Sequence, residues 1–165
     1  MDITQLAERL GQALACRGEQ VTTAESCTGG GVAEAITRIA GSSAWFEAGY
    51  ITYSNAQKTR QLGVPEALFD SVGAVSDEVV RAMAAGARRH SGARYAVAVS
   101  GVAGPGGGSP HKPVGTVWIA WADGAQLSSR RFLFAGDRQA VRTQTVTAAL
   151  QGLIALVVGE NPQRG

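Results

Sequence analysis

Ser26 is the first residue of this 165-residue chain whose type and setting suggest chemistry. It stands in Thr22-Thr-Ala-Glu-Ser-Cys-Thr-Gly-Gly30, where β-branched residues give way to small polar ones, ahead of the apolar-periodic Val32, Ala35, Ile36 and Ile39. That pattern predicts a strand, a tight turn and a helix. Amides at a helix start have no partner within the helix. A serine placed there can attack an acyl carbon while the N–H groups around Cys27, Thr28, Gly29 and Gly30 hold an oxyanion. The competing reading is that Ser26 only caps the helix. Cys27 competes as a nucleophile by adjacency.

A serine nucleophile needs a base. The two histidines are poorly placed for it: His90 adjoins Arg88 and Arg89 at a predicted helix end, and His111 sits in a glycine-rich loop without an obvious acidic partner. Only two lysines exist, Lys58 and Lys112. A lysine serves as base when desolvation lowers its pKa enough to supply the neutral amine, so Lys58 and His111 both stay open. Tyr53 falls in the same predicted strand as Tyr50, three residues away, and the two should face opposite ways. Tyr53 is then positioned to relay a proton between serine and lysine, or to orient either. Ser100, Gly101 and Gly104 form a second strand-to-loop junction offering a hydroxyl and backbone donors. Eight glycines (29, 30, 31, 101, 104, 106, 107 and 108) fall in these two loops and read as backbone room for a ligand. Neither G-x-x-x-x-G-K-[ST] nor G-x-G-x-x-G occurs, and no His/Cys/Asp/Glu cluster has ligand spacing, so neither metal nor cofactor is expected.

The elements that must carry these residues follow from periodicity and caps. Helices are predicted over about 2–17, after the triple glycine, from the N-cap Asn55 through Lys58 and Leu62, from Pro65, and from the N-cap Ser76. The last begins at Gly136-Asp137 and runs to about residue 158. Strands are predicted from Val21, over 48–54, 95–100, 114–121 and 127–134, the last two joined by an Asp123-Gly124 hairpin turn. Helices interspersed among strands, with one late hairpin, give a layered α/β domain with a mixed sheet. The tail 161–165 is expected to fray.

Composition bounds the rest. With 45% apolar and 17% charged residues the chain makes one globular domain, and a net charge of +2 argues against a nucleic-acid partner. Cys16 and Cys27 form no framework, which suits a reducing, cytoplasmic compartment. Asp2 and Glu8 stand where a signal peptide needs basic residues, and the longest apolar run, 153–158, is far short of a membrane span, so no membrane partner is expected. Trp45, Phe46 and Trp121 have two readings, core packing or the interface of a homodimer.

Several segments taken in order resemble the CinA C-terminal domain family: Thr22 to Gly30, Gly41-Ser-Ser-Ala-Trp-Phe46, Tyr53-Ser-Asn55, Gly73-Ala-Val-Ser76, Ser100-Gly-Val-Ala-Gly-Pro105, Lys112-Pro-Val-Gly-Thr-Val117 and Gly136-Asp-Arg138. The likeness covers about 1–158 and places the domain at 1–160. It implies a single three-layer α/β/α domain with a mixed, mostly parallel sheet. It also implies a serine amidohydrolase needing no metal, which converts nicotinamide mononucleotide to nicotinate mononucleotide and ammonia in pyridine nucleotide salvage. By position Ser26 matches the nucleophile, Lys58 the base and Tyr53 the assisting tyrosine, with Ser100 a hydroxyl near the site. A nucleotide substrate needs phosphate support, for which Arg138, Arg142 and the 101–109 loop are the expectation. The alternative within the family is a non-catalytic, competence-associated or regulatory nucleotide-binding module.

Overall fold

A computed structural model describes residues 1–160; the expected fraying of 161–165 lies outside the described residues. The elements run α1 (Ile3–Arg17), β1 (Val21–Glu25), α2 (Gly31–Thr37), a 3-10 turn (Ser42–Ala44), β2 (Phe46–Ile51), α3 (Asn55–Leu62) and α4 (Ala67–Ser71). Then follow α5 (Asp77–Ser91), β3 (Tyr95–Gly101), β4 (Thr116–Asp123), β5 (Gln126–Leu133) and α6 (Arg138–Val157). The order of helices and strands is the predicted one, and the boundaries move for local reasons. Asp2 caps α1 from outside through a box with Gln5. β2 stops at Ile51 rather than 54, because Ser54 accepts from the Gln57 amide and so turns the chain out of the sheet to cap α3, displacing Asn55 from that role. Tyr53 is therefore not a strand residue, and the alternation argument with Tyr50 does not apply to it. Pro65 precedes α4 by two residues, the β4–β5 turn is Gly124-Ala125, and Asp137 caps α6 as expected.

The five strands lie in the order β2-β1-β3-β4-β5. β1 pairs parallel with β2 and β3, while β4 pairs antiparallel with β3 and β5, so only β4 runs against the rest. The two faces differ in side-chain size. Val21, Tyr95, Val97, Val99, Val117, Ile119 and Trp121 pack against α1, α2 and α6, whereas Ala24, Ala96, Ala98, Ala120 and Ala122 face α5 and its neighbours. Alternation along each strand produces this division, and helices on both sides make three layers. Short alanines let α5 lie close to the sheet. Trp121 is 1% exposed and belongs to the larger core, and Trp45 and Phe46 are partly buried at its margin. α6, with 20 residues, has the length and apolarity of a spanning helix, but its buried stripe packs on the sheet and on α1.

The chain leaves β1 through α2 toward β2 and leaves β3 toward β4. The loops at these strand ends therefore diverge and open a crevice, the usual place for a ligand in an open α/β sheet. α3 and α5 bound it on the alanine side. Their contact depends on Gly86, where an added Cβ would stand 2.0 Å from the carbonyl oxygen of Leu62. Gly86→Ala should push α3 off α5 and lower unfolding free energy by about 2 kcal/mol in urea titration, an overpacking cost.

Candidate active site

β1 ends at Glu25, and that carboxylate organises the turn after it. Fully buried, it accepts from the Thr28 hydroxyl and from the Val32 and Ala33 amides at 2.8 and 3.0 Å. It thereby satisfies the first amides of α2 and places negative charge at that helix's positive end. Arg142 of α6 clamps the same turn from outside, donating to the carbonyls of Cys27 and Thr28 at 3.2 Å each. Gly29 and Gly30 have φ +59° and +107°, so the turn needs glycine there. The Gly29 amide donates to the Ser26 carbonyl at 3.1 Å and is thus removed from the expected oxyanion donors. Among the described residues the amides of Cys27, Thr28 and Gly30 donate to no other residue.

Ser26 is anchored by its amide, which donates to the Val99 carbonyl at 3.1 Å. Its Oγ accepts from Lys58 Nζ at 3.1 Å, and Nζ also donates to the Tyr53 carbonyl at 2.8 Å. Lys58 is 1% exposed, sharing the inner face of α3 with Leu62. Burial pulls its pKa down from 10.5 to about 8, with the neighbouring Cys27 opposing the shift. A minor neutral fraction, about a tenth at pH 7 and rising through pH 8, thus stands beside a hydroxyl. The Cys27 thiol is driven the other way, up to about 11, chiefly by burial, and a thiol so held supplies little thiolate.

Of the other predicted residues, Ser100 is buried on the strand next to Ser26. His111 is exposed, with its carbonyl accepting from Arg131, and His90 lies at the end of α5 beside the Tyr50 ring. Lys112 Nζ is tied to the Val72 carbonyl. The structure therefore brings neither histidine nor the second lysine to Ser26. Tyr53 meets the pair only through its main chain. Its ring is 59% exposed and its hydroxyl accepts from Arg138 at 3.1 Å, so it does not bridge Ser26 and Lys58 as expected. Arg138 also donates to the Gly104 carbonyl at 2.9 Å. At Gly101 and Gly104 the missing side chain is required by the chain itself, since a Cβ there would strike Val117 or Val114 at 2.6 and 2.5 Å.

A cleft of about 630 Å³ adjoins this site, lined by Ala103, Gly104, Pro105, Val114, Arg138 and Arg142 among others. Its size suits a small-molecule ligand. Ser26 does not line it; Arg142 connects the two by reaching the turn at 27–28. Sequence reasoning missed Glu25, which ends β1 six positions before the first residue of α2 and so lies outside the capping positions that sequence spacing identifies.

Fold and geometry together define a class, an α/β domain that presents a hydroxyl to a buried lysine at the carboxyl end of its parallel strands. The chain belongs to the CinA C-terminal domain family, whose model matches residues 3–157. It is 73% identical over 154 residues to "Nicotinamide-nucleotide amidohydrolase PncC" of Pseudomonas putida, covering 93% of this chain and 96% of that one. It is 56% identical over 153 residues to the protein of the same name in Escherichia coli K12, covering 92% and 93% of the two chains. Among solved structures it resembles the competence damage-inducible protein A of Klebsiella pneumoniae, with a TM-score of 0.93 and 38% identity over 96% of this chain and 98% of that one.

The two cysteines should separate cleanly in the folded protein. Iodoacetamide at pH 8 should modify the exposed Cys16 and spare Cys27, giving a single adduct by intact mass and peptide mapping. Equal labelling of both would show the turn to be open.

Proposed function

We propose that this chain is a nicotinamide-nucleotide amidohydrolase, hydrolysing the carboxamide of nicotinamide mononucleotide to nicotinate mononucleotide and ammonia. The observation that carries the reading is the 3.1 Å contact between a fully buried lysine amine and a serine hydroxyl in the turn after β1. In this reading neutral Lys58 takes the Ser26 proton as Oγ bonds to the carboxamide carbon. The Cys27, Thr28 and Gly30 amides are the available donors for the oxyanion, Gly29 alone dropping out of the set expected from sequence. Lys58 returns the proton to the departing nitrogen, ammonia leaves, and water releases the acid by the same route in reverse. Arg138 and Arg142, at the cleft, supply charge for the nucleotide phosphate. Tyr53 fixes the amine through its carbonyl and reaches Arg138 through its hydroxyl. A module that only binds nucleotide has no use for a desolvated amine aimed at a hydroxyl, which weighs against the regulatory reading.

Ser26→Ala should cut ammonia release from nicotinamide mononucleotide by about 10³-fold or more with the circular dichroism spectrum unchanged. Wild-type turnover in that variant would remove the nucleophile assignment.

Lys58→Met should be as inactive, yet at pH 7 no less stable to heat than the wild type, because it removes a charge whose burial opposes folding. The pH dependence follows from the sign of the shift. Below pH 8 the folded and unfolded chains both carry the proton, so the burial cost is present in full; between about 8 and 10.5 the folded chain loses it first and stability rises. Activity should rise in the same sense, with kcat/KM climbing through an apparent pKa near 8 as neutral amine forms. A profile flat from pH 6 to about 9 would exclude Lys58 as the base.

A further inference from the structure

Thr52 immediately follows β2, is fully buried, and carries one of four buried side-chain polar atoms that have no hydrogen-bond partner among the described residues. A buried hydroxyl without a partner opposes folding, so its retention asks for a cause.

Its place in the sheet supplies one. The Thr52 amide donates to the Glu25 carbonyl at 2.9 Å and the Ser26 amide to the Val99 carbonyl at 3.1 Å. These bonds extend the parallel register one residue past the strand ends, setting Thr52 and Ser100 on either side of Ser26. Ile51 points to the α2 side, with its Cδ1 3.0 Å from where a Cβ on Gly30 would lie. Alternation therefore turns Thr52 toward α3, the side from which Lys58 enters. Lys58 Nζ is held by the carbonyl of Tyr53, the residue next to Thr52, so the amine stands on the Thr52 flank of Ser26 and not the Ser100 flank.

A neutral amine that receives the serine proton becomes an ammonium with three N–H donors. Two have partners in the structure, Ser26 Oγ and the Tyr53 carbonyl. We propose that Thr52 Oγ1 accepts the third, making Thr52 a positioning residue that stabilises the Lys58 ammonium while the acyl-enzyme forms. The inference rests on the Ser26–Lys58 reading above. Thr52 Oγ1 makes no hydrogen bond to another described residue, so its lone pairs are open to this contact. The proton moves from Ser26 Oγ to Lys58 Nζ as the C–O bond forms, then to the leaving nitrogen as the C–N bond breaks. Thr52 gains and loses nothing.

The test compares Thr52→Val and Thr52→Ser with the wild type in steady-state ammonia release from nicotinamide mononucleotide and in thermal unfolding, with Ser26→Ala as control. Thr52→Val should lower kcat about tenfold or more, the loss of one hydrogen bond to a charged group, with KM within about twofold. Its unfolding midpoint should equal or exceed that of the wild type, since an unpartnered hydroxyl has been replaced by a methyl of the same shape. Thr52→Ser should restore kcat to within about threefold. Wild-type kcat in Thr52→Val would overturn the proposal, as would a fall in kcat that tracks a lowered midpoint and is not rescued by serine. If Ser26→Ala still turns over, the Ser–Lys reading itself fails and the proposal with it. If Ser26→Ala is inactive while Thr52→Val matches the wild type, only the role of Thr52 is overturned.

Discussion

The burial of Lys58 against Ser26 is the constraint on which the rest of the structure depends. A protonated amine taken out of water must find acceptors in the protein, and it gives up its proton more readily than in solvent; both hold here. Two oxygens receive it, and desolvation draws its pKa to about 8. Ser26 and Lys58 are 32 residues apart, on β1's end and on α3, so the contact exists only if α3 is held over the carboxyl end of the sheet. That position depends on α5, which lies flat on an alanine surface and meets α3 where Gly86 has no side chain. Ordinary packing choices far from the pair thus fix the distance between them.

The opposite face of the sheet serves the other half of the site. Large residues there carry α1, α2 and α6, and α6 is the element from which Arg142 reaches the carbonyls of Cys27 and Thr28 and Arg138 reaches Tyr53 and Gly104. The turn that bears Ser26 is consequently held twice, by Glu25 from within and by Arg142 from without. Rigid support of this kind suits a nucleophile, because misplacement by about an ångström is costly to an attack geometry.

Much of this was legible in the sequence, and unevenly so. Glycines, caps and alternation located every helix and strand in order, because each of those signals acts within a few residues. Ser26 stood out for the same reason. The choice of base did not follow from periodicity, since nothing local distinguishes a lysine on a solvated helix face from one turned beneath a strand end. There the family resemblance carried the expectation. Tyr53 shows where local reasoning misleads: its residue type suggested a hydroxyl relay, while the fold uses its carbonyl, a group every residue owns. Gly101 and Gly104 have a second reason to be glycine that the sequence does not display, the close approach of Val117 and Val114 of the same chain.

The division between buried pair and open cleft bears on why a nucleotide, rather than a free amide, suits the proposed reading. Ser26 is 8% exposed and Lys58 1%, so little of either faces water, and a small amide diffusing to them would gain few contacts. The charged, roomy part of the site lies to one side, between α6 and the 102–115 loop, and Arg142 spans the step between the two. A substrate whose phosphate is held by arginines in the cleft can use that remote binding energy to orient its carboxamide toward the serine, which is how distant contacts come to accelerate a reaction. The nearly neutral composition fits this arrangement. A few arginines concentrated at one helix start give local positive charge without an extended basic surface, which selects for a compact anionic ligand over a polyanion.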